Sequence, residues 1–129
     1  MLNDTLANAL SVILNAEKKG KKACLIGPSS KIIKEVFKIM NEEGYIGSFE
    51  EIVTTKGNSI NINLLGNINK CGAIKPRYSV KKDGYEKFEK RYLPAKDFGV
   101  IIVSTPAGIV IHSQAKKKEL GGKLLSYCY

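Results

Sequence analysis

The most constraining feature of the sequence is a short segment in which apolar and polar side chains alternate strictly. Ile60, Ile62 and Leu64 alternate with a serine and two asparagines. This period of two predicts a β-strand with one face buried and the other in water. A turn at Lys56-Gly57-Asn58 precedes it, and Tyr45 to Thr54 predicts a strand before that turn. We therefore expect an antiparallel hairpin that needs other elements to cover its buried face.

Two amphipathic helices and one strand precede the hairpin. Residues 3–19 predict a helix that Asn3 or Asp4 caps and Gly20 ends, with an apolar stripe formed by Leu6, Leu10, Ile13 and Leu14. A second helix, capped by Ser29 or Ser30 and stopped by Gly44, is expected to face inward with Ile32, Ile33, Val36, Phe37 and Met40. Ala23 to Ile26 predicts a buried strand between them. Residues 1–65 are thus interpreted as an amino-terminal α+β lobe of order helix–strand–helix–strand–strand.

Residues 66–129 predict a second small lobe that is mostly β with short helices. It follows a connector at 66–70, where the charge balance also changes. The expected strands are 71–78, 98–104, 109–112 and 123–129, and the expected helices are 83–91 and 113–120. Within the first helix Tyr85, Phe88 and Tyr92 have a helical spacing. The whole chain is therefore predicted to be α+β with two small lobes.

The charge of the chain is concentrated in this second lobe. The 129 residues include 21 basic and 12 acidic side chains, a net charge of +9. Residues 1–64 hold 8 basic and 7 acidic side chains, whereas residues 65–129 hold 13 and 5. A basic excess in one half favours a polyanionic partner, most often nucleic acid. A solvated lysine-rich surface, or a protein-binding module with an acidic partner, stays open as an alternative.

Small residues in two turns of the basic half are suited to RNA recognition. Ser104, Thr105, Pro106 and Gly108 lie in a turn that offers hydroxyl and amide groups at close range. Gly121 and Gly122 permit another close approach beside the cation of Lys123, and the segment with Lys75, Arg77 and Tyr78 combines charge with an aromatic ring. Each turn could equally be an ordinary hairpin or helix stop, but together with the charge they favour RNA.

Features that would indicate an enzyme or a cofactor protein are weak. His112 is the one histidine, and no carboxylate lies near it in sequence. The Gly27-Pro28-Ser29-Ser30-Lys31 loop lacks the spacing of a nucleotide-binding P-loop, although its amides beside Lys31 could bind one phosphate. We expect no catalytic residue, metal, cofactor or small-molecule substrate; a small cytosolic enzyme remains the less favoured alternative. Three widely spaced cysteines and the lack of an apolar span or leader favour a reduced cytoplasmic setting without a membrane.

Three blocks of sequence resemble the eighth protein of the small ribosomal subunit in its archaeal or eukaryotic style, over essentially the whole chain. The first is Asp4-Thr5-Leu6-Ala7-Asn8 through Asn15-Ala16. The second is Pro28-Ser29-Ser30-Lys31 with Glu42-Glu43-Gly44-Tyr45-Ile46 after it. The third and most specific is Ser104-Thr105-Pro106-Ala107-Gly108, then Ala115 and Gly121-Gly122-Lys123-Leu124-Leu125-Ser126-Tyr127.

The resemblance implies a ribosomal protein that binds an irregular helix in the central domain of small-subunit ribosomal RNA and supports its assembly. Neighbouring small-subunit ribosomal proteins would be further partners. It implies RNA contacts at the Ser104–Thr105 turn, at Gly121 and Gly122, and around Lys31 and Lys56 in the first lobe. Bacterial members usually have serine at the position of Pro106, so contacts of that hydroxyl do not transfer. Residues 81–92 depart from the bacterial pattern and receive no individual role.

Overall fold

The computed structural model describes residues 5–26, 31–55, 57–74, 78–95 and 98–129, apart from the side chains of Thr5 and Thr54. The chain forms two compact units, Met1–Cys71 and Gly72–Tyr129. Both combine helices with antiparallel sheets, so the predicted α+β class is confirmed. The elements are α1 (Thr5–Lys18), β1 (Ala23–Ile26), α2 (Lys31–Glu42), β2 (Ile46–Thr54), β3 (Gly57–Leu64), β4 (Cys71–Ala73), β5 (Ser79–Val80), α3 (Tyr85–Tyr92), β6 (Val100–Thr105), β7 (Gly108–Ile111), α4 (His112–Lys117) and β8 (Gly122–Cys128).

The first unit has a three-stranded antiparallel sheet of order β1-β3-β2. The central strand is the one with strict alternation, and its Ile60, Ile62 and Leu64 are buried as predicted. The hairpin is also confirmed, but its turn lies earlier than predicted: Thr54 of β2 pairs with Gly57, so Gly57 and Asn58, predicted in the turn, belong to β3. Gly57 has φ 132°, a value that glycine adopts without a steric penalty.

Strand β1 exists as predicted, but the expectation that it is buried is wrong. It lies at the edge of the sheet and pairs with β3, and its side chains alternate between the two faces. Ile26 is therefore buried, whereas Leu25 is 60% exposed. A run of apolar residues alone does not distinguish a central strand from such an edge.

Helices α1 and α2 supply the apolar cover of this unit. Leu6, Leu10 and Ile13 are buried as expected, together with Ala9 and Ala16, whereas Leu14 is only half-buried. In α2 the buried set is Ile33, Val36, Phe37, Ile39 and Met40. Ile32, predicted to face inward, is 38% exposed because the stripe is centred one residue further along the helix. The ring of Phe37 packs edge-on against Phe49 of β2, with centroids 6.2 Å apart.

The connector at residues 66–70 packs on the first unit. Ile68 is buried, the side chain of Asn67 donates to the Gly44 carbonyl at 2.9 Å, and the Gly66 amide donates to Glu17 Oε1 at 3.3 Å. Along the chain, the first unit consequently ends at Cys71, six residues later than the lobe boundary predicted from charge and composition. The functional division, with the main RNA-binding surface in the second lobe, remains a prediction.

The second unit has a five-stranded antiparallel sheet of order β4-β8-β6-β7, with β5 also paired to β8. One face of the sheet carries α3 and α4 over a core of Ile74, Val80, Tyr85, Phe88, Leu93, Ile101, Val103, Ala115 and Leu124. Helix α3 confirms the predicted helix and begins two residues later than expected. The predicted strand 71–78 is shorter than expected: β4 ends at Ala73, and residues 75–77 are outside the described part of the chain.

Two boundaries around β6 and β7 differ from the prediction. The expected strand 98–104 begins only at Val100, because Gly99 has φ 93° and turns the chain, which leaves Phe98 50% exposed. His112, predicted to end β7, instead begins α4. The hairpin itself is confirmed, with Thr105 paired to Gly108.

Cys71 gives the first unit a pH-dependent stability. Its thiol is 4% exposed and donates to the Leu10 carbonyl at 3.5 Å. Burial, with a further contribution from the charge of Glu17, raises the pKa of Cys71 from 9.0 to about 12. The folded chain therefore keeps this proton at a pH where the unfolded chain has lost it.

We predict that this stabilisation is present below pH 9 and is lost as the pH rises toward 12. The free energy of unfolding should fall by up to about 1.4 kcal/mol per pH unit for this one proton. A Cys71→Ala protein lacks the ionisation, so its stability difference from the wild type should shrink between pH 9 and 11 in urea titrations. A difference that stays constant over this range would contradict the assignment.

Candidate nucleic-acid interface

The candidate interface is built on the ends of three neighbouring strands in the second unit. Ser104 of β6 lies opposite Lys123 of β8, and Lys123 lies opposite Ser79 of β5. Directly opposed residues point to the same side of a sheet, and all three side chains are exposed. We call Ser79, Lys123 and Ser104 the serine–lysine row. It presents one hydroxyl group on each side of an ammonium group and spans roughly 10 Å, as expected from the spacing of three strands.

The double glycine is what allows these strands to meet. A Cβ atom on Gly122 would lie 2.2 Å from the Ser104 carbonyl oxygen, and one on Gly121 would lie 2.5 Å from the Val80 carbonyl oxygen. Both contacts are with backbone, which cannot move aside cheaply. The protein's own backbone therefore comes close at Gly121 and Gly122, and the predicted approach of RNA to them stays a prediction.

The turn from β6 to β7 presents Pro106 and Ala107 to solvent. Thr105 differs from them, because it is only 9% exposed and its Oγ1 donates a hydrogen bond to the Gly108 carbonyl at 2.7 Å. The hydroxyl proton of Thr105 thus holds the turn together, and its oxygen retains only acceptor capacity. Ser104 is the more accessible of the two predicted hydroxyl contacts.

Among the remaining predicted residues that the structure describes, Tyr78 does not join the serine–lysine row. Tyr78 precedes Ser79, so its side chain lies on the opposite face, where its ring packs 5.5 Å from that of Phe88. Lys31 is exposed at the start of α2 in the first unit. Lys56, Lys75 and Arg77 lie outside the described residues.

Ser79 is a member of the row that sequence reasoning missed. It stands in the basic segment singled out for Lys75, Arg77 and Tyr78. Strand β5 is only two residues long, so no alternation in the sequence could show which side chain faces Lys123. The signal lies in the pairing register, which the sequence does not encode locally.

A buried charged cluster on the helical face was also missed. Glu89 of α3 is 5% exposed; its carboxylate contacts the ammonium of Lys116 and lies 3.4 Å from Nε2 of His112. On the other side of the ring, Nδ1 of His112 accepts the Ile101 amide at 3.0 Å. In a neutral ring the proton is then on Nε2 and points to Glu89. The cluster ties α3, α4 and β6 together, and His112 has a structural role.

Other types of site have little support. Among the described residues, no group of three or more His, Cys, Asp or Glu side chains is arranged to hold a metal ion. None of the helices in the described segments is long and apolar enough to cross a membrane. The functional groups that the register brings together in the row are two hydroxyl groups and one ammonium group.

We predict that Gly122→Ala destabilises the protein by about 1–3 kcal/mol, because the added methyl group forces β8 away from Ser104. Gly84→Ala is the matched control, since there a Cβ would meet a movable side chain, Val80 Cγ2, at 3.1 Å. Thermal unfolding of the two variants compares them directly. Equal stabilities would show that the close contact at Gly122 is absorbed without cost.

Comparison with known protein families identifies a match that covers nearly the whole chain. The family model described as ribosomal protein S8 matches residues 4–129. The match includes both units and all three blocks of sequence that carry the resemblance.

Proposed function

Since the chain belongs to the ribosomal protein S8 family, whose members are small-subunit ribosomal proteins that bind ribosomal RNA, we propose that its serine–lysine row is the centre of the RNA-binding surface. The family is structural rather than catalytic. Membership leaves the small-enzyme and acidic-partner hypotheses without support.

The single observation that carries this proposal is the register that aligns Ser79, Lys123 and Ser104 on the same side of the sheet, where all three side chains are exposed. A hydroxyl group can donate to a phosphate oxygen and can accept from a ribose 2′-hydroxyl, which is the group that distinguishes RNA from DNA. An ammonium group between two hydroxyls attracts the phosphate backbone without selecting a base. The row is therefore suited to the backbone and shallow groove of helical RNA.

The charge of the second unit supports the same conclusion. Residues 72–129 hold 12 basic and 5 acidic side chains. Glu89 pairs with Lys116, and without this pair 11 basic and 4 acidic side chains remain, so the net charge of +7 is unchanged. The field around this unit is thus strongly positive and increases the rate of encounter with RNA.

We infer that the RNA is an irregular helix of the central domain of small-subunit ribosomal RNA and that binding helps this domain assemble. Neighbouring ribosomal proteins are the further partners, in the cytoplasmic ribosome. Besides the row, the proposed contacts are the turn at Thr105, Pro106 and Gly108, the backbone at Gly121 and Gly122, the ring of Tyr78, and the cations Lys31, Lys56, Lys75 and Arg77. Exposure of Lys31 supports its inclusion.

Ser104→Ala should weaken binding of a central-domain ribosomal RNA fragment about fivefold, the effect of one lost hydrogen bond. Binding to random duplex RNA should change less than twofold. Ser11→Ala, an exposed serine on α1, is the matched control and should change neither. Filter-binding titrations at a fixed salt concentration measure the affinity of the wild type and of the two variants for each RNA. If the wild type shows no preference for the fragment over random duplex, the specific proposal fails.

Lys123→Ala should weaken binding to both RNAs and reduce the slope of log affinity against log salt by about 1. Lys18→Ala removes an exposed lysine from the last turn of α1 in the first unit and serves as the control. The measurement is the same titration repeated at several salt concentrations. An unchanged slope for Lys123→Ala would remove this residue from the phosphate-contacting set.

A further inference from the structure

The helical face of the second unit carries a continuous strip of aromatic rings that includes one guanidinium group. Its members, here called the aromatic strip, are Phe98, Tyr129, Tyr127, Tyr92, Arg91 and Tyr78. These six residues come from three separate parts of the chain, at position 78, at positions 91–98 and at positions 127–129. The strip is thus a product of the fold and not of a local sequence motif.

Neighbouring rings within the strip are in contact distance and share similar orientations. The centroids of Tyr92 and Tyr127 are 5.4 Å apart with planes at 30°, and those of Tyr127 and Tyr129 are 6.3 Å apart at 22°. Phe98 extends the series, 6.5 Å from Tyr129. These are stacked and tilted arrangements typical of interacting rings.

Arg91 continues the strip at its other end. Its guanidinium carbon lies 5.3 Å from the ring centre of Tyr78 and 5.5 Å from that of Tyr92. A guanidinium group is planar and stacks on aromatic faces, so it bridges the two rings while it carries a positive charge.

The aromatic strip and the serine–lysine row lie on opposite faces of the same sheet. Tyr127 is opposite Ile101, which belongs to the core beneath α3 and α4. Ser104 and Lys123 follow the other parity, next to the buried pair Val103 and Leu124. A ligand on one face therefore does not occupy the other.

The strip is most accessible at Phe98 and Arg91. Phe98 is 50% exposed, Arg91 is exposed, and the four tyrosines are half-buried. Phe98 precedes Gly99, which has φ 93° and turns the chain just before β6 begins at Val100. The ring of Phe98 is not part of the core cluster of this unit. An exposed phenylalanine in line with stacked tyrosines is more than core packing requires.

We propose that the aromatic strip is a second RNA-contacting surface, which stacks unpaired bases. This inference rests on the proposed function insofar as the ligand is RNA, but it concerns a different face and a different chemistry. The row contacts the backbone of helical RNA, whereas the strip offers the exposed ring of Phe98 and the planar guanidinium group of Arg91 to bases that have left a helix.

Charge favours unpaired RNA over a protein segment as the occupant. The exposed charges of α3 are three cations, Lys87, Lys90 and Arg91, against one acid, Glu86. Lys87 also lies near a ring, 5.9 Å from the centre of Phe88. Aromatic rings flanked by cations are the pattern that binds single strands, because each nucleotide brings one π-face and one phosphate.

The test uses the full chain and a labelled twelve-nucleotide oligo(U), which has no duplex structure, in fluorescence anisotropy titrations. Phe98→Ala should weaken oligo(U) binding about tenfold, in line with the loss of one stacked base, with an unchanged salt slope because no charge is removed. Arg91→Lys keeps the charge but loses the planar group and should weaken binding several-fold. Val53→Ala, an exposed apolar residue of the first unit, should have no effect. Thermal unfolding verifies that each variant is folded.

The central-domain fragment is titrated in parallel, so that the two proposals fail separately. If Phe98→Ala binds oligo(U) as the wild type does, while Ser104→Ala still weakens the fragment, the strip is not an RNA surface and the proposed function stands. If the wild type binds polyglutamate and oligo(U) with similar affinity, the aromatic strip attracts any polyanion through its charge alone, and the inference is overturned. A wild type without preference for the fragment over random duplex defeats the proposed function, whatever oligo(U) shows.

Discussion

The second unit depends on two close approaches between backbones, at two adjacent glycines. Strand β8 can lie against both β5 and β6 only because Gly121 and Gly122 have no side chains where the carbonyl oxygens of Val80 and Ser104 stand 2.5 and 2.2 Å from the position of a Cβ atom. Those approaches set the register which aligns Lys123 with a serine on each side. A pair of residues that itself offers no functional group thus determines where the functional groups are.

Much of the first unit could be predicted because its signals are local. The alternation around Ile62 identifies a half-buried strand, and Gly20 and Gly44, with φ 72° and 80°, end the two helices where the sequence places them. The turn that contains Thr105 was recognised for the same reason, since small residues and proline between two β-branched runs are typical of a hairpin. Fold class and family followed from such short-range features.

What could not be predicted depends on contacts between distant residues. From the sequence, Glu89 is an ordinary charged residue on the exposed side of a short helix. In the fold it is buried against Lys116 and His112 of α4. Ser79 joins the row through the register of a two-residue strand. Thr105 lies in a turn whose composition suits RNA contact, but its hydroxyl group donates a hydrogen bond to the Gly108 carbonyl of the same turn. In each case the partner is set by tertiary packing, which local composition does not report.

The edge position of β1 has a consequence for the chain before it reaches its ribosome. An edge strand presents amide and carbonyl groups along one side and is a template for pairing with a second copy. Here the strand is only four residues long, and Lys21 and Lys22 directly precede it in exposed positions. Two copies that approach edge to edge would bring these cations together, which opposes aggregation. Cations at the start of an edge strand are thus a built-in obstacle to pairing between two copies of this sheet.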